Sequence, residues 1–379
     1  MINKMFFYAN FRTYDNTLGI TRKVYAQIEA FQKLGYSVTY CGYLEDGVAV
    51  FDENKKILVY KKYPAKNKDI QHLIRRRMLM NACIEYLSAS PEHFGFAYVR
   101  YHFFDKKYIE LLEKLKNAAS KVVIEAHSAP KFSSKLSPMY FIGQRDSKWN
   151  KKAKEHVDLV ASMSDENKLW DIQTVKISNA VDVATIPVHC YVGSTDDINF
   201  ISVSFERDVH GYDRLIRGIR NYYDSGGKRN IFFHIVGTTL PSTRKLIKKL
   251  GLEKHCVLYG SLSGNDLDRV YDKANLGVGC LANHRIGSFF GSALKTKEYI
   301  AKGIPFIYGW NEKVLEKFQY AKKFELCEEP IDVFSVIDFY DGIDKTDLPE
   351  KIRRSLGKED TWEYQMKLVV DTLSELKNH

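Results

Sequence analysis

Short, almost wholly apolar runs alternate with helix-like stretches along this chain, and the rhythm starts afresh halfway. In the first half the apolar runs are MFFYAN (5–10), YSVTYCGY (36–43), KILVYKK (56–62), FAYVRY (96–101) and KVVIEA (121–126). Helical stretches fall between them at 21–35, 68–89 and 106–118. In the second half FISVSF (200–205), IFFHIVG (231–237), HCVLYG (255–260), LGVGCL (276–281) and PFIYGW (305–310) repeat the pattern, with helical stretches at 210–227, 241–250, 264–274 and 293–302. Strands separated by helices of this length build βαβ units and a parallel sheet, and strands apolar on both sides are those that helices cover on both faces. The segment DVATIPVHCYVGSTDD (182–197) has no helical period and is expected to be the linker. The expected fold class is α/β, with two Rossmann-like domains whose parallel sheets face a central cleft. Their expected extents are 1–185 and 196–359.

A length of 379 residues suits two domains and a core large enough to need neither disulfides nor a structural metal. The six cysteines (Cys41, Cys83, Cys190, Cys256, Cys280, Cys327) show no CxxC and no zinc spacing, and read as small buried hydrophobes in a reducing compartment. MINKMFFYANFRTYDN lacks the apolar run of a signal peptide, and no stretch approaches the length of a membrane span, so a cytoplasmic protein is expected. The net charge of +10 favours anionic partners. The basic residues are spread and form no nucleic-acid motif, so nucleic acid is not expected. Arg75, Arg76 and Arg77 lie inside an apolar helical pattern, which is either a core helix with a solvated basic face or a helix that lies on lipid headgroups. Peripheral contact with the inner face of a membrane is therefore a further expectation.

The strongest chemical signal is GSALKTKEYIAKGIPFIYG (291–309), a loop, a helix opening near Ala293 and a strand after Pro305. Free backbone N–H groups at such a helix start, from Ser292 through Ala293 to Leu294, suit a diphosphate. Glu298, one to two turns along, is placed to accept hydrogen bonds from ribose hydroxyls; paired with Lys295 or Lys297 it would be an ordinary surface glutamate. Asp266 and Asp268 resemble a metal-binding pair, yet on a helix they point roughly 200° apart. No P-loop and no serine-hydrolase elbow is present.

This stretch resembles the donor-binding segment of retaining glycosyltransferases of family 4, which have the GT-B fold and read roughly E-G-F-G-x-x-x-x-E-A-x-A-x-G-x-P there. Glu298 and AKGIP (301–305) match its second glutamate and the residues after it. FHIVGTT (233–239), which holds Gly237, VLYGSLSGNDLDRVYDKANLGVG (257–279) and ISNAVD (177–182) resemble the family's other segments in order, and HGYDRLI (210–216) resembles a bacterial subgroup that builds surface polysaccharides. The resemblance implies sugar transfer from a nucleotide-diphosphate sugar, with UDP favoured, to a glycan, lipid-linked or protein-linked acceptor. It further implies retention of anomeric configuration, with no metal and no cofactor. Gly19 takes the place of the glycine loop facing the donor, His127 that of the active-site histidine near the reacting sugar, and Tyr259, Gly260 and Leu262 that of the loop holding the base. The tail from Asp360 onward is expected as a helix returning to the N-terminal domain.

Three positions depart from the family pattern. Phe290 stands where a first glutamate is usual, His210 replaces a lysine before Gly211, and the arginine's place near Ser204 or Phe205 is uncharged. Arg207, Arg214 or Lys295 are the candidates to supply the missing charge. The departures keep a second reading open, a non-catalytic GT-B subunit that binds a partner or acceptor; a GT-B epimerase acting on the nucleotide-sugar is a third.

Overall fold

The computed structural model of the chain describes residues 3–65, 67–126, 138–191, 196–287, 289 and 291–376. The chain divides into two compact units, Met1–Ser178 with Trp362–His379, and Asn179–Thr361. In the first, β1 (Lys4–Tyr8) leads to α1 (Gly19–Lys33), then to β2 (Ser37–Tyr43), β3 (Gly47–Phe51) and β4 (Ile57–Lys62). After α2 (Lys68–Ala89) come β5 (Phe96–Arg100), α3 (Lys106–Ala118), β6 (Val122–Ala126) and α4 (Pro138–Trp149). The strands β7 (Leu159–Ser162), β8 (Lys168–Leu169) and β9 (Ile172–Lys176) complete its sheet.

Among the described residues that sheet has the order β4-β3-β2-β1-β5-β6-β7-β9-β8. From β2 through β9 the neighbours are parallel. β8 runs antiparallel to β9 at one edge, and near the other β3 runs antiparallel to both its neighbours, β2 and β4, differences from the parallel-sheet expectation. Between β2 and β3 the cause is the link of three residues, 44–46, closed by Leu44 N–H donating to the Gly47 carbonyl at 2.9 Å. A parallel connection needs a crossover of a dozen residues or more, and this link permits only a hairpin. Phe6, Phe7 and Tyr8 are fully buried in β1, an inner strand, where each large side chain contributes roughly 2 kcal/mol of burial. Helix starts are set by side chains: Asn67 accepts from the N–H groups of Asp69 and Ile70, and Asp105 from that of Tyr108.

The second unit runs β10 (Ile198–Val203), α5 (Tyr212–Asp224), β11 (Ile231–Val236), α6 (Pro241–Lys249), β12 (Cys256–Gly260), α7 (Gly264–Tyr271) and β13 (Leu276–Val278). It continues with α8 (Leu294–Lys302), β14 (Phe306–Tyr308), α9 (Lys313–Glu316), β15 (Ala321–Lys323), α10 (Val333–Asp341) and α11 (Leu348–Arg353). Its sheet is parallel throughout, in the order β12-β11-β10-β13-β14-β15. This is the doubly wound order, in which the chain reverses its direction of travel between β10 and β13. The segment from Asp182 to His189 runs along this unit: Arg353 donates to the Ile186 carbonyl at 2.7 Å and His189 N–H to the Lys302 carbonyl at 2.8 Å. The crossing into the second unit is at Ser178–Asn179. The return at Trp362 opens α12 (Trp362–Glu375), which packs against α1. Gln365 on α12 accepts from the Ser178 N–H at 2.7 Å.

All six cysteines are free thiols. Cys190 departs from the expected burial because it lies in the extended segment after His189 and is exposed, while Cys280 and Cys327 are half-buried. Among the described residues, no helix is long and apolar enough to cross a membrane.

Candidate functional site

The loops that leave β10 and β13 meet at the carboxyl ends of those strands. Leu281 N–H donates to the His210 carbonyl at 3.2 Å and Ala282 N–H to that of Val209 at 3.0 Å. Gly211 sits between them with φ +62, and a Cβ there would stand 3.0 Å from that of Ala282. In a doubly wound sheet this crevice is where ligands bind.

Lys295, in the first turn of α8, reaches into the crevice with only 7% of its surface exposed. Its ammonium donates to Ser202 Oγ at 3.1 Å and stands 5.8 Å above the Tyr212 ring. Ser202 also accepts from the Tyr212 hydroxyl at 2.7 Å and donates to the Val278 carbonyl, so its hydrogen-bonding capacity is filled. The Tyr212 hydroxyl in turn accepts from Ser204 at 2.6 Å. The ammonium therefore has two further N–H groups without a hydrogen-bond partner among the described residues, and none of them offers it a carboxylate in an ion pair. Burial holds its pKa below the usual lysine value, although Cys280 and Glu206 oppose the shift. Sequence reasoning missed this hydroxyl chain, whose one local signal is two serines, two apart, at the carboxyl end of an otherwise apolar strand.

His210 replaces the expected lysine with a neutral ring. Its Nδ1 accepts from the Arg207 backbone N–H at 2.9 Å, which puts the ring proton on Nε2. Burial, then Lys295 and Arg207, push its pKa down to about 2. Arg207 itself is exposed and lines a pocket of about 310 Å³ together with Gly211, Ser242, Thr243 and Arg285. Arg214 does not supply the missing charge. It is buried, and its guanidinium donates to the Glu329 carbonyl at 2.7 Å, to the Leu281 carbonyl and to Cys327 Sγ, which pins α5 to the chain around 281 and 327.

Ala293 is the extended residue ahead of α8, with φ −94 and ψ 133, and the first backbone bond of the helix runs from Thr296 N–H to its carbonyl. The N–H groups of Leu294 and Lys295 precede that bond and carry the positive end of the helix dipole. Ser292 is held from behind, where its carbonyl accepts from Asn179 Nδ2 at 2.6 Å. Glu298 is half-buried one turn along. Lys295 and Lys297, both ahead of it on α8, bind Ser202 and, in a buried ion pair at 2.6 Å, Asp360.

The ends of β11 and β12 are joined by Gly237 N–H donating to the Gly260 carbonyl at 2.6 Å. Gly237 has φ +113, and a Cβ there would lie 2.0 Å from the Ser204 carbonyl oxygen, so only glycine lets the 204 and 237 loops approach. Tyr259 is half-buried, with its hydroxyl 2.9 Å from His234 Nδ1; Leu262 is half-buried in the loop beyond Gly260. Asp266 and Asp268 face different partners on α7, Arg269 at 3.3 Å and Lys302 at 2.7 Å. Of the remaining expected residues, Gly19 opens α1 after β1 in the first unit. His127 and Phe290 lie outside the described residues. Lys295, His210, Arg207 and the start of α8 are thus gathered at one crevice, with Glu298 one turn along α8, while Tyr259, Gly260 and Leu262 sit at the end of a strand two places away in the sheet.

The neutral His210 has a consequence for stability. Its folded pKa lies far below the unfolded value of 6.5, so on acidification the unfolded chain takes up the proton first and stability falls with pH below that value. Between about pH 7 and about pH 5 this one group removes about 2 kcal/mol. Urea unfolding of His210→Gln, which keeps an acceptor for the Arg207 N–H, should show a fall smaller than the parent's by that amount.

No protein-family model matches the chain, and no curated protein does. Solved structures do match over nearly its whole length. The trehalose-6-phosphate synthase OtsA superposes with a TM-score of 0.67 at 10% identity, covering 99% of both chains. The sucrose-phosphate synthase of Thermosynechococcus elongatus gives 0.60 at 13%, with 98% of both chains covered. Anabaena HepE, solved with UDP and glucose, gives 0.59 at 12%, covering 99% of this chain and 100% of its own. With two Rossmann-like units, one doubly wound sheet and these neighbours, the chain has the GT-B fold.

Proposed function

We propose that this protein is a glycosyltransferase that moves a sugar from a nucleotide-diphosphate sugar to a glycan, lipid-linked or protein-linked acceptor. The observation that carries the reading is the buried Lys295 ammonium, with two unused N–H groups at the head of α8. An uncompensated buried cation is costly unless a bound anion completes it. A diphosphate fits the donors on offer, the backbone N–H groups of Leu294 and Lys295, the ammonium and the Nε2–H of His210. UDP is the first nucleotide to test, since HepE was solved with UDP and glucose.

In the reaction the bond between the anomeric carbon and the diphosphate oxygen breaks, and charge collects on the departing phosphate. Lys295 and the α8 dipole lie where that charge develops, so they stabilise the transition state more than the ground state. Arg207 adds charge from the crevice mouth, and Glu298 holds the ribose. The acceptor hydroxyl oxygen forms the new bond on the face that the diphosphate vacates, its proton passing to the departing diphosphate oxygen, which retains configuration, and no metal is required in this scheme. The neutral His210 favours a second reading, a non-catalytic subunit that binds a partner or acceptor.

Donor turnover separates the two. The purified protein should release free UDP from a UDP-sugar slowly in water and faster with acceptor. Glu298→Ala should raise the donor KM by roughly tenfold to a hundredfold while changing kcat less, because a ribose contact is made equally in the ground and transition states. If no nucleotide is released and calorimetry detects no UDP or GDP binding, the proposal fails.

A further inference from the structure

A cavity of about 310 Å³ opens in the second unit where the loop after β10 faces the start of α6. Its volume lies at the lower end of the roughly 300 to 1,000 Å³ of small-molecule sites. Of the residues assigned above to the donor, only Arg207 lines it.

Glu206, 4% exposed, contributes a carboxylate to the lining. The Leu240 N–H donates to its Oε2 at 2.6 Å and the Thr243 hydroxyl to its Oε1, so each oxygen keeps an acceptor position. None of the cations around the cavity pairs with it. Arg217 and Arg285 both bind Asp213, at 2.7 and 2.9 Å, and Arg285 also binds Glu328. Arg207 makes no ion pair among the described residues and is exposed, as is Ser242 in the first turn of α6. Leu240 and Leu246, both half-buried, supply the apolar part of the wall.

An ion of either sign meets its own charge here. An anion faces Glu206 and Asp208, and a cation faces the unpaired Arg207. A neutral polyol avoids both costs. Adjacent hydroxyls on one ring can donate to the two carboxylate oxygens and accept from Arg207 and Ser242, while the C–H face of the ring lies on the leucines. We infer that this cavity is a saccharide-binding site, separate from the donor crevice, that takes a neutral sugar unit of a glycan. The inference stands on the cavity and not on sugar transfer, so a chain that turns over no donor can still pass its test.

That test is a saturation-transfer NMR titration of the full chain with glucose, galactose, mannose and N-acetylglucosamine, each with and without saturating UDP. Protonated glucosamine and glucuronate serve as charged counterparts. At least one neutral sugar should bind in the millimolar range, unaffected by UDP and roughly tenfold more tightly than either charged sugar. S242W, which fills the mouth of the cavity, should weaken that binding roughly tenfold or more without shifting the thermal midpoint. E206Q should weaken it similarly, since its amide keeps an oxygen for the Leu240 N–H but removes the second acceptor. Failure of all four neutral sugars to bind, tighter binding of a charged sugar, or S242W binding like the parent would overturn the inference. So would loss of the signal under UDP, which would place the sugar in the donor crevice.

Discussion

Lys295→Met is expected to slow nucleotide release from a UDP-sugar by about a hundred- to a thousandfold, the range for losing one preorganised donor to a developing anion. Methionine keeps the length and apolar stem, so the hydroxyl chain of Ser202, Tyr212 and Ser204 should survive and the loss should fall on kcat. Lys295→Arg should rescue little, because the ammonium is a point charge held between Ser202 and the Tyr212 face, a geometry that a planar fork does not reproduce. A pH profile adds a second readout. Burial lowers the Lys295 pKa, so in the free enzyme the ammonium loses its proton below the ordinary 10.5, and kcat/KM should fall as pH rises through that lowered value. An unchanged rate in Lys295→Met would remove Lys295 from the mechanism.

Glu125→Ala should cost about 3 to 5 kcal/mol of stability, the usual result of removing one partner from a buried ion pair. Glu125 lies in β6, which is buried throughout, and is bonded by Lys23 at 2.8 Å, Gln27 at 2.8 Å and Tyr98 at 2.9 Å, with Arg100 at 3.8 Å. The side chains of Lys23 and Glu125 are each 1% exposed. Burial already pushes the Lys23 pKa down to about 8 against the pull of Glu125, so without the carboxylate the amine must go neutral or stay charged at high cost. Guanidinium unfolding of the first unit's transition measures the loss. Lys23→Met combined with Glu125→Leu should recover a good part of it, since two apolar groups leave neither charge stranded.

Much of this architecture is legible in the residues alone. The helical stretch read at 68–89 is α2, and five of the six strands of the doubly wound second sheet are the apolar runs read at regular spacing; β15, three residues with two lysines, shows no such run. The start of α8 and its glycine stop at Gly303 are equally plain. The hairpin of β3 escapes such a reading because GVAVF is five buried residues between turns, too short to show a period. At the candidate site the choice among Arg207, Arg214 and Lys295 could not be made from sequence. All three are cations near the right loops, and only packing shows Arg214 bound to carbonyls and Lys295 turned into the crevice. The pairing of two serines with Tyr212 is likewise a contact across elements, which local pattern does not encode.

The return of the chain at Trp362 sets an order of assembly. Trp362, Met366 and Val369 of α12 are buried, Lys23 of α1 stands 5.1 Å over the Trp362 ring, and Gln365 closes on Ser178. A ribosome delivers those residues only after the whole of the second unit. The second unit can thus condense while the first still lacks its last helix, and the apolar side of α1 waits uncovered through that interval. The unit synthesised first is therefore the one completed last, so any pause in translation before Trp362 leaves α1 open to chaperones and proteases.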